Sequence, residues 1–196
     1  MRGVSNRYDC ATDAIDSANA ADPHRVRVRG ADRPLALAHG ELAAEWVEHL
    51  HPEANELLLL AARAHHLRRW ELPRADYPEG RAGYLRWRKD QKARHARDVA
   101  DILRTCGYSD DEIESVQALI RRDRLAVDAG AQAVEDAACL VFIETQLASM
   151  QTRLDHDHLI DVVRKSARKM SAGGIAAVAE IDLAPAERAL LDEALG

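Results

Sequence analysis

Apolar residues recur at intervals of three or four along most of this sequence, and prolines and glycines separate the segments that show the pattern. Such spacing puts apolar side chains on one face of a helix, whereas a half-buried strand requires strict alternation. Helices are therefore predicted over 8–20, 34–50, 53–69, 81–106, 131–154, 155–170 and 186–195. A capping box, Ser109-Asp110-Asp111-Glu112, predicts the start of one more helix. The expected fold class is all-α.

Two short segments interrupt the helical pattern. Residues 24–29, HRVRVR, alternate like a strand and predict an arm or a small hairpin, and residues 171–174 are predicted as a break. We expect a helical domain over 1–154 and a helical C-terminal appendage over 155–196, packed on that domain. The apolar face of 175–195 leaves open whether it packs on its own chain or forms a homodimer.

The length and composition exclude several protein classes. The 196 residues carry a formal charge of −6, which argues against general nucleic-acid binding. No apolar run approaches the roughly 18 residues that a membrane span needs, and the N-terminus has no hydrophobic signal region. Three cysteines without a CxxC pattern predict free thiols in a reducing cytoplasm.

The charge is nevertheless unevenly distributed along the chain. Residues 63–97 contain eleven Arg or Lys and only four Asp or Glu, although the whole protein is acidic. A basic segment of this kind indicates a local site for a small anionic substrate. The alternative is an Arg-rich face in contact with solvent.

Several polar residues are predicted to point into the helical core. His39 shares an apolar helix face, and His65 and His66 follow the apolar run LLLLAARA. Asp136 shares the apolar face of a later helix, where a carboxylate must be paired or bind a metal. Imidazole and carboxylate groups that meet between helices form the metal sites of helical bundles, whereas isolated inward histidines are usually hydrogen-bonded core residues.

These residues resemble the H…HD…D pattern of the HD-domain superfamily. His39, His65-His66 after 26 residues, and the late Asp136 match that pattern, over residues 35–143. The resemblance implies an HD-domain-like helical bundle in which His39, His65, His66 and Asp136 hold a metal. It also places His95 where some members bind a second metal or the substrate.

The chain departs from the HD pattern at His66, where the superfamily has Asp. Imidazole can bind a metal but bridges two metals poorly, so a divalent transition metal such as Mn, Fe, Co, Ni or Zn is favoured over Mg. Three hypotheses follow. They are a metal-dependent phosphohydrolase, a non-haem iron oxygenase of HD type, and a non-catalytic HD-like module that binds an anion or a protein.

In the phosphohydrolase hypothesis, His95 or Glu135 is the general acid or base. The predicted substrate-binding residues are cationic or aromatic and lie in the basic segment: Arg68, Arg69, Tyr84, Arg88 and Lys92. Guanidinium groups offer paired donors to phosphate oxygens. The alternative is that the aromatic residues are packing residues and that the arginines pair with nearby acids.

The stretch that begins HHLRRWELPRADYPEGRAGYLRW also resembles a small bacterial and fungal family of unassigned function, some of whose members are labelled glutamyl-tRNA synthetases. The sequence does not support that activity, because it has neither a HIGH motif nor a nucleotide-binding βα pattern. Residues 168–171, RKMS, resemble only part of a synthetase KMSKS loop.

Overall fold

The computed structural model describes residues 6–196, and this part of the chain is all-α apart from one hairpin. The helices are α1 (Arg7–Asn19), α2 (Leu35–Leu50), α3 (Glu56–Ala64), α4 (Gly80–Thr105), α5 (Asp110–Arg121), α6 (Ala129–Gln151), α7 (His156–Ala167), α8 (Ala172–Ala177) and α9 (Pro185–Leu195). The hairpin pairs β1 (Arg25–Val28) with β2 (Ala31–Pro34), so the alternating segment is a small hairpin. No helix in the described range is long and apolar enough to cross a membrane.

The N-terminal core forms where α1, α3, α4 and α5 meet. Ile15, Leu60, Val99, Leu103 and Ile120 are all fully buried in it. The apolar residues of each segment recur at intervals of three or four because each helix must turn one continuous apolar face towards this core.

The C-terminal helices pack on α6 of the same chain. Leu140 and Leu147 of α6 share an apolar cluster with Leu159, Val163 and Leu191. The apolar face of 175–195 therefore packs, in large part, on the chain's own α6 and α7. The C-terminal helices also contact α2, because Trp46 and Leu50 pack against the same cluster and His49 forms an ion pair with Glu180.

Side-chain caps set most helix starts. The Ser109–Glu112 capping box is confirmed at the start of α5. Helix α3, by contrast, begins after Asn55, whose side chain accepts a hydrogen bond from the Leu58 amide. The predicted start near Pro52 was too early because Asn55 is the better N-cap.

The predicted helix over 53–69 was too long. Helix α3 ends at Ala64, and the chain then makes two short 3-10 turns, at Arg69–Glu71 and Arg74–Asp76. Arg68 has a left-handed backbone with φ 50°, which no helix tolerates. This early end makes His65 the C-cap of α3, bonded to Ala62 of the same helix, and places His66 in irregular structure, where it contacts His39 of α2.

Residues 171–174, predicted as a break, instead begin the short helix α8. Ser171 is its N-cap and accepts a hydrogen bond from the Gly174 amide at 3.0 Å. Glycine is a poor helix former. The two glycines of this segment nevertheless fit inside the helix because the Ser171 cap and a buried carboxylate hold its first turn.

The cysteine prediction was wrong for two of the three thiols. Cys10 in α1 and Cys106 at the end of α4 form a disulfide across 96 residues of sequence, and Cys139 is free and buried. The pairing has no local sequence signal. It arises because α1 packs against α4 in the N-terminal core.

Candidate functional site

An irregular segment after α3, residues 65–72, forms the centre of the site and is called here the 65–72 turn. Side chains of α4 hold it through its backbone carbonyls. His95 Nδ1 donates to Leu67 O at 2.7 Å, and Gln91 Nε2 donates to both Arg69 O and Leu72 O at 2.9 Å. The turn therefore has a defined shape although only Arg69–Glu71 of it is helical, as one 3-10 turn.

Four histidines meet at this turn and form what we call the histidine cluster: His39 from α2, His65 and His66 from the turn, and His95 from α4. The ring of His66 lies 4.0 Å from that of His65, 5.4 Å from that of His39 and 6.1 Å from that of His95, between centroids. The structure therefore brings together all four histidines that the sequence predicted to point inward.

Hydrogen bonds determine the tautomers of His39 and His66. Thr145 Oγ1 lies 2.6 Å from Val141 O, so its proton is used there and it accepts from His39 Nε2 at 3.0 Å. A more distant group, the Gln146 amide nitrogen at 3.4 Å, faces the same Nε2. His39 Nδ1 is then an acceptor and receives the Nδ1 proton of His66 at 3.2 Å. His66 Nε2 therefore carries a lone pair.

The same reasoning applies to His65 and His95. Their Nδ1 atoms donate to the carbonyls of Ala62 and Leu67, both at 2.7 Å. Each Nε2 must then carry a lone pair, and both of these atoms are buried without a hydrogen-bond partner. Buried acceptors without partners are rare in proteins and require an explanation.

All four imidazoles are neutral at ordinary pH. Burial, together with the charge of Arg69, lowers the pKa of His39 to about 4 and that of His95 to about 3. Burial also lowers the pKa of His65 and His66 well below its usual value. The cluster therefore offers lone pairs and N–H donors but no charge of its own.

A pocket of about 340 Å³ opens beside the cluster. His39, His66, Arg69 and two tryptophans contribute to its wall; the complete lining is Asp22, His24, Leu35, Ala36, His39, His66, Arg69, Trp70, Leu72, Pro73, Arg74 and Trp87. The guanidinium of Arg69 lies 4.7 Å above the Trp87 ring. The pocket thus combines an aromatic wall with two arginines, three imidazoles and the carboxylate of Asp22.

Arg69 is the least compensated charge in this pocket. Burial lowers the pKa of its guanidinium to about 10, and the positive charges of Arg88 and Arg122 contribute to this decrease. The nearby Tyr84 acts in the opposite direction. No carboxylate in the described residues forms an ion pair with it. A partly buried cation that is stacked on an indole ring but has no counter-ion remains able to pair with a bound anion.

Further cations surround a buried ion pair near the cluster. Arg122 Nε lies 2.5 Å from Glu135 Oε2, with both side chains almost fully buried, and Lys169 Nζ lies 3.9 Å from the other carboxylate oxygen. Burial would raise the pKa of Glu135, but Arg122 and Lys169 lower it. Burial and the charge of Arg122 lower the pKa of Lys92 to about 8. Glu135 is thus an ionised partner of arginine.

Asp136 is not part of the histidine cluster, contrary to the HD pattern. Both of its oxygens accept hydrogen bonds from Ser171, from the amide at 2.8 Å and from the hydroxyl at 2.6 Å, and Gln132 Nε2 donates to one of them at 2.9 Å. The carboxylate therefore stabilises the start of α8. It is paired with protein donors, which was the other option for a buried acid.

The remaining predicted residues do not line the pocket. Arg68 contributes its backbone amide, which donates to Asn19 Oδ1 at 3.0 Å. Tyr84 is 43 % exposed and stacks near Trp87, and Arg88 lies 5.8 Å above the Tyr84 ring. Lys92 donates to the backbone of Arg121. These side chains lie around the pocket and the buried ion pair.

The HD-type metal set is therefore not assembled. Within residues 6–196, no group of three or more His, Cys, Asp or Glu side chains is arranged to hold a metal ion. The donor chemistry of the cluster still suits a transition metal, because ligating histidines commonly donate their other ring proton to a backbone carbonyl, as His65 and His95 do.

The sequence matches the family described as a domain of unknown function, DUF4202, over residues 9–191. The chain belongs to this family. No curated protein and no solved structure matches the chain significantly. The match runs from α1 into α9, so the family unit includes both the histidine cluster and the C-terminal helices.

Sequence reasoning missed several residues of this DUF4202 site. Asn19 holds Arg68, Thr145 orients His39, and Asp22 joins the hairpin to α2 by accepting from the Ala36 amide at 2.9 Å. None of them lies in a motif. Each acts through a contact between elements distant in sequence, which spacing along one helix does not show.

Proposed function

We propose that this protein is a phosphohydrolase that acts on a small phosphate ester bound in the pocket beside the histidine cluster. The observation that carries the proposal is Arg69, a partly buried cation at the pocket without a carboxylate partner in the described chain. Guanidinium binds phosphate oxygens with paired, charge-assisted hydrogen bonds. The aromatic wall of Trp70 and Trp87 would accommodate the organic part of the ester.

The tautomers support a general-base role for His66. In the proposed reaction, His66 Nε2 accepts a proton from water as the water oxygen forms a bond to phosphorus. The ester P–O bond breaks, and the leaving alcohol recovers the proton from His66. His39 and Thr145 would act as positioning residues, because they hold the ring of His66 in the tautomer that leaves Nε2 free.

The surrounding cations support the choice of an anionic substrate. The positive charges of Arg88 and Arg122 act electrostatically on Arg69. The Glu135 carboxylate, which interacts with Arg122, Lys169, Lys92 and Arg88, compensates only part of this positive charge. Preorganised cations that stabilise the charge developing on a phosphoryl group, at a site from which water is excluded, are a large source of rate enhancement. The same field opposes an unpaired divalent cation, unless the substrate supplies negative charge.

A metal-dependent form of the hydrolase is the second candidate function. The observation that favours it is the pair of buried Nε2 lone pairs on His65 and His95, which have no partner. These two imidazoles would hold a transition metal such as Mn, Fe, Co, Ni or Zn only with further ligands from water or substrate, because no three such side chains of residues 6–196 are arranged around one position. When bound, such a metal lowers the pKa of its water ligand.

The binding test compares inorganic phosphate affinity in the wild type, Arg69→Met and Arg86→Met by calorimetry. Arg86 is a control because it is exposed on α4 and outside the pocket. We expect Arg69→Met to weaken phosphate binding roughly 10- to 100-fold, the value of a charge-assisted hydrogen bond. Unchanged affinity in Arg69→Met, or no binding by the wild type, would reject the proposal.

The activity test measures phosphate release from a panel of small phosphomonoesters. Protein purified without a His tag is assayed with a chelator and with each of the five metals, and its metal content is measured beside that of His65→Ala/His95→Ala. Phosphate release in the presence of the chelator supports the metal-free mechanism. Phosphate release that requires an added metal supports the metal-dependent hydrolase. Phosphate binding without turnover indicates a non-catalytic module, and metal-dependent oxygen uptake an oxygenase.

A further inference from the structure

The backbone of the 65–72 turn is held from two sides, by α4 and by α1, while α2 contacts the His66 side chain through His39. On one side, α4 binds its carbonyls through His95 and Gln91, and the indole Nε1 of Trp87 donates to Leu72 O at 2.9 Å. On the other side, α1 binds it through Asn19. The turn carries His66 and Arg69, so its shape determines the pocket wall.

The contact from α1 is a single buried hydrogen bond. Asn19 is only 1 % exposed, and its Oδ1 accepts from the Arg68 amide at 3.0 Å. Arg68 has φ 50°, a left-handed conformation that needs support from its surroundings in a non-glycine residue. Nearby, Asp16 of α1 forms a bidentate ion pair with Arg63 of α3, at 2.7 and 2.5 Å.

The disulfide joins the two supports to each other. Cys10 belongs to α1, and Cys106 is the residue at which α4 ends. The bond therefore completes a closed ring that runs from α1 through Asn19 to the turn, and from the turn through α4 back to α1. Without it, α1 is held by packing of Ala11 and Ile15 and by its polar contacts.

We propose that the Cys10–Cys106 pair is a redox switch for this site. In the disulfide form, α1 is held against α4, and Asn19 keeps Arg68 and therefore His66 and Arg69 in place. In the dithiol form, α1 separates more often and the pocket binds anions less well. The effect of the switch on anion binding rests on the proposed function. The effect of the disulfide on the position of Arg68 does not.

Reduction requires an external dithiol. One thiolate of the dithiol attacks a protein sulfur, breaks the S–S bond and forms a mixed disulfide, and its second thiolate then releases the other protein thiol. Two electrons and two protons pass to Cys10 and Cys106, and the reductant becomes a disulfide. Both cysteines are partly exposed, whereas Cys139 is buried and burial raises the pKa of its thiol to about 12.

This chemistry suits an intracellular setting. Cytoplasmic disulfides in mesophiles are usually transient or redox-sensing rather than structural. A cytoplasmic location is part of this proposal. It would give the Cys10–Cys106 pair access to cellular dithiols that reduce it.

The test measures hydrogen exchange of the Arg68 amide by NMR, with and without dithiothreitol, beside phosphate affinity. We expect reduction to accelerate Arg68 exchange at least tenfold and to weaken phosphate binding several-fold. Cys10→Ser should behave like the reduced protein under oxidising conditions, and Cys139→Ser should behave like the wild type. In Asn19→Ala, which keeps the disulfide, affinity should be low and insensitive to dithiothreitol.

The outcomes separate this inference from the proposed function. Equal Arg68 exchange in the two redox states, or phosphate affinity that reduction leaves unchanged, would overturn the switch. If the protein binds no phosphate in either state while Arg68 exchange still responds to reduction, the proposed function fails and the coupling stands. Asn19→Ala keeps both cysteines. It therefore tests the contact between Asn19 and Arg68 even if Cys10→Ser does not fold.

Discussion

The Nδ1 atoms of His39 and His66 lie 3.2 Å apart, and this contact joins α2 to the 65–72 turn at the pocket wall. The direction of the hydrogen bond is determined by Thr145 of α6, which accepts the Nε2 proton of His39. A hydroxyl on a third element thus selects the nitrogen of His66 that is free to accept a proton.

Replacement of Thr145 by valine should disturb these tautomers. Valine has a similar shape but no acceptor, so the His39 Nε2 proton would lose its partner and the ring would favour the other tautomer. The ¹⁵N shifts of His39 and His66, measured by long-range ¹H–¹⁵N NMR, should change in Thr145→Val and stay near the wild-type values in Thr145→Ser. Identical shifts in all three proteins would refute the assignment.

The fold should lose stability as the pH falls below about 6.5. The native imidazoles stay neutral, with a pKa of about 4 for His39, whereas the unfolded chain takes up protons from about pH 6.5 downwards. Between pH 7 and pH 5, each buried histidine should cost about 2 kcal/mol of unfolding free energy.

Urea unfolding at several pH values, in the presence of a chelator, measures this loss. His39→Gln should show a smaller decrease than the wild type, because one depressed pKa is removed. The interpretation fails if the two proteins lose stability in parallel between pH 7 and pH 5.

Two adjacent glycines of α8 should respond differently to alanine. A Cβ on Gly174 would lie 2.8 Å from Asp136 Cγ, whereas a Cβ on Gly173 would meet nothing closer than 3.7 Å. Gly174→Ala should lower the unfolding free energy by about 1–3 kcal/mol, and Gly173→Ala should be neutral or stabilising by up to about 1 kcal/mol. Urea unfolding at pH 7 measures both, and equal effects would contradict the packing described for α8.

The Arg122–Glu135 pair should behave as a buried ion pair. Arg122→Met alone leaves a buried carboxylate with too few partners and should cost about 3–5 kcal/mol, and Glu135→Leu alone leaves a buried guanidinium and should cost a similar amount. The double variant should recover most of the loss. A double-mutant cycle by urea unfolding measures the coupling, and additive losses would show that the two charges act independently.

The sequence predicted the parts of the fold that depend on local pattern. Helical spacing located the main helices, and Ser109 and Glu112 marked the start of α5. The inward direction of His39 and His65 was also predictable, because His39 shares an apolar helix face and His65 directly follows one, whereas His95 was assigned to the site only through the resemblance to the HD pattern. Their burial is the reason that the histidine cluster could be anticipated.

The remaining features depend on contacts between distant segments. The early end of α3 follows from the left-handed Arg68, which Asn19 holds from another helix. Asp136 was expected to face the histidines, but the approach of Ser171 from the C-terminal helices provides closer donors. The pairing of Cys10 with Cys106 likewise requires the packing of α1 on α4.

Helix α6 belongs to three apolar clusters at once, since Val134 lies in the N-terminal core, Val141 packs with α2 and its neighbour Leu140 packs with the C-terminal helices. A chain cut after residue 154 would therefore present a row of uncovered leucine and isoleucine side chains along α6, and such a fragment would tend to aggregate rather than fold alone. The C-terminal helices thus cover the apolar face of α6, and a library of shortened variants should tolerate no cut that removes the buried Leu190 and Leu191.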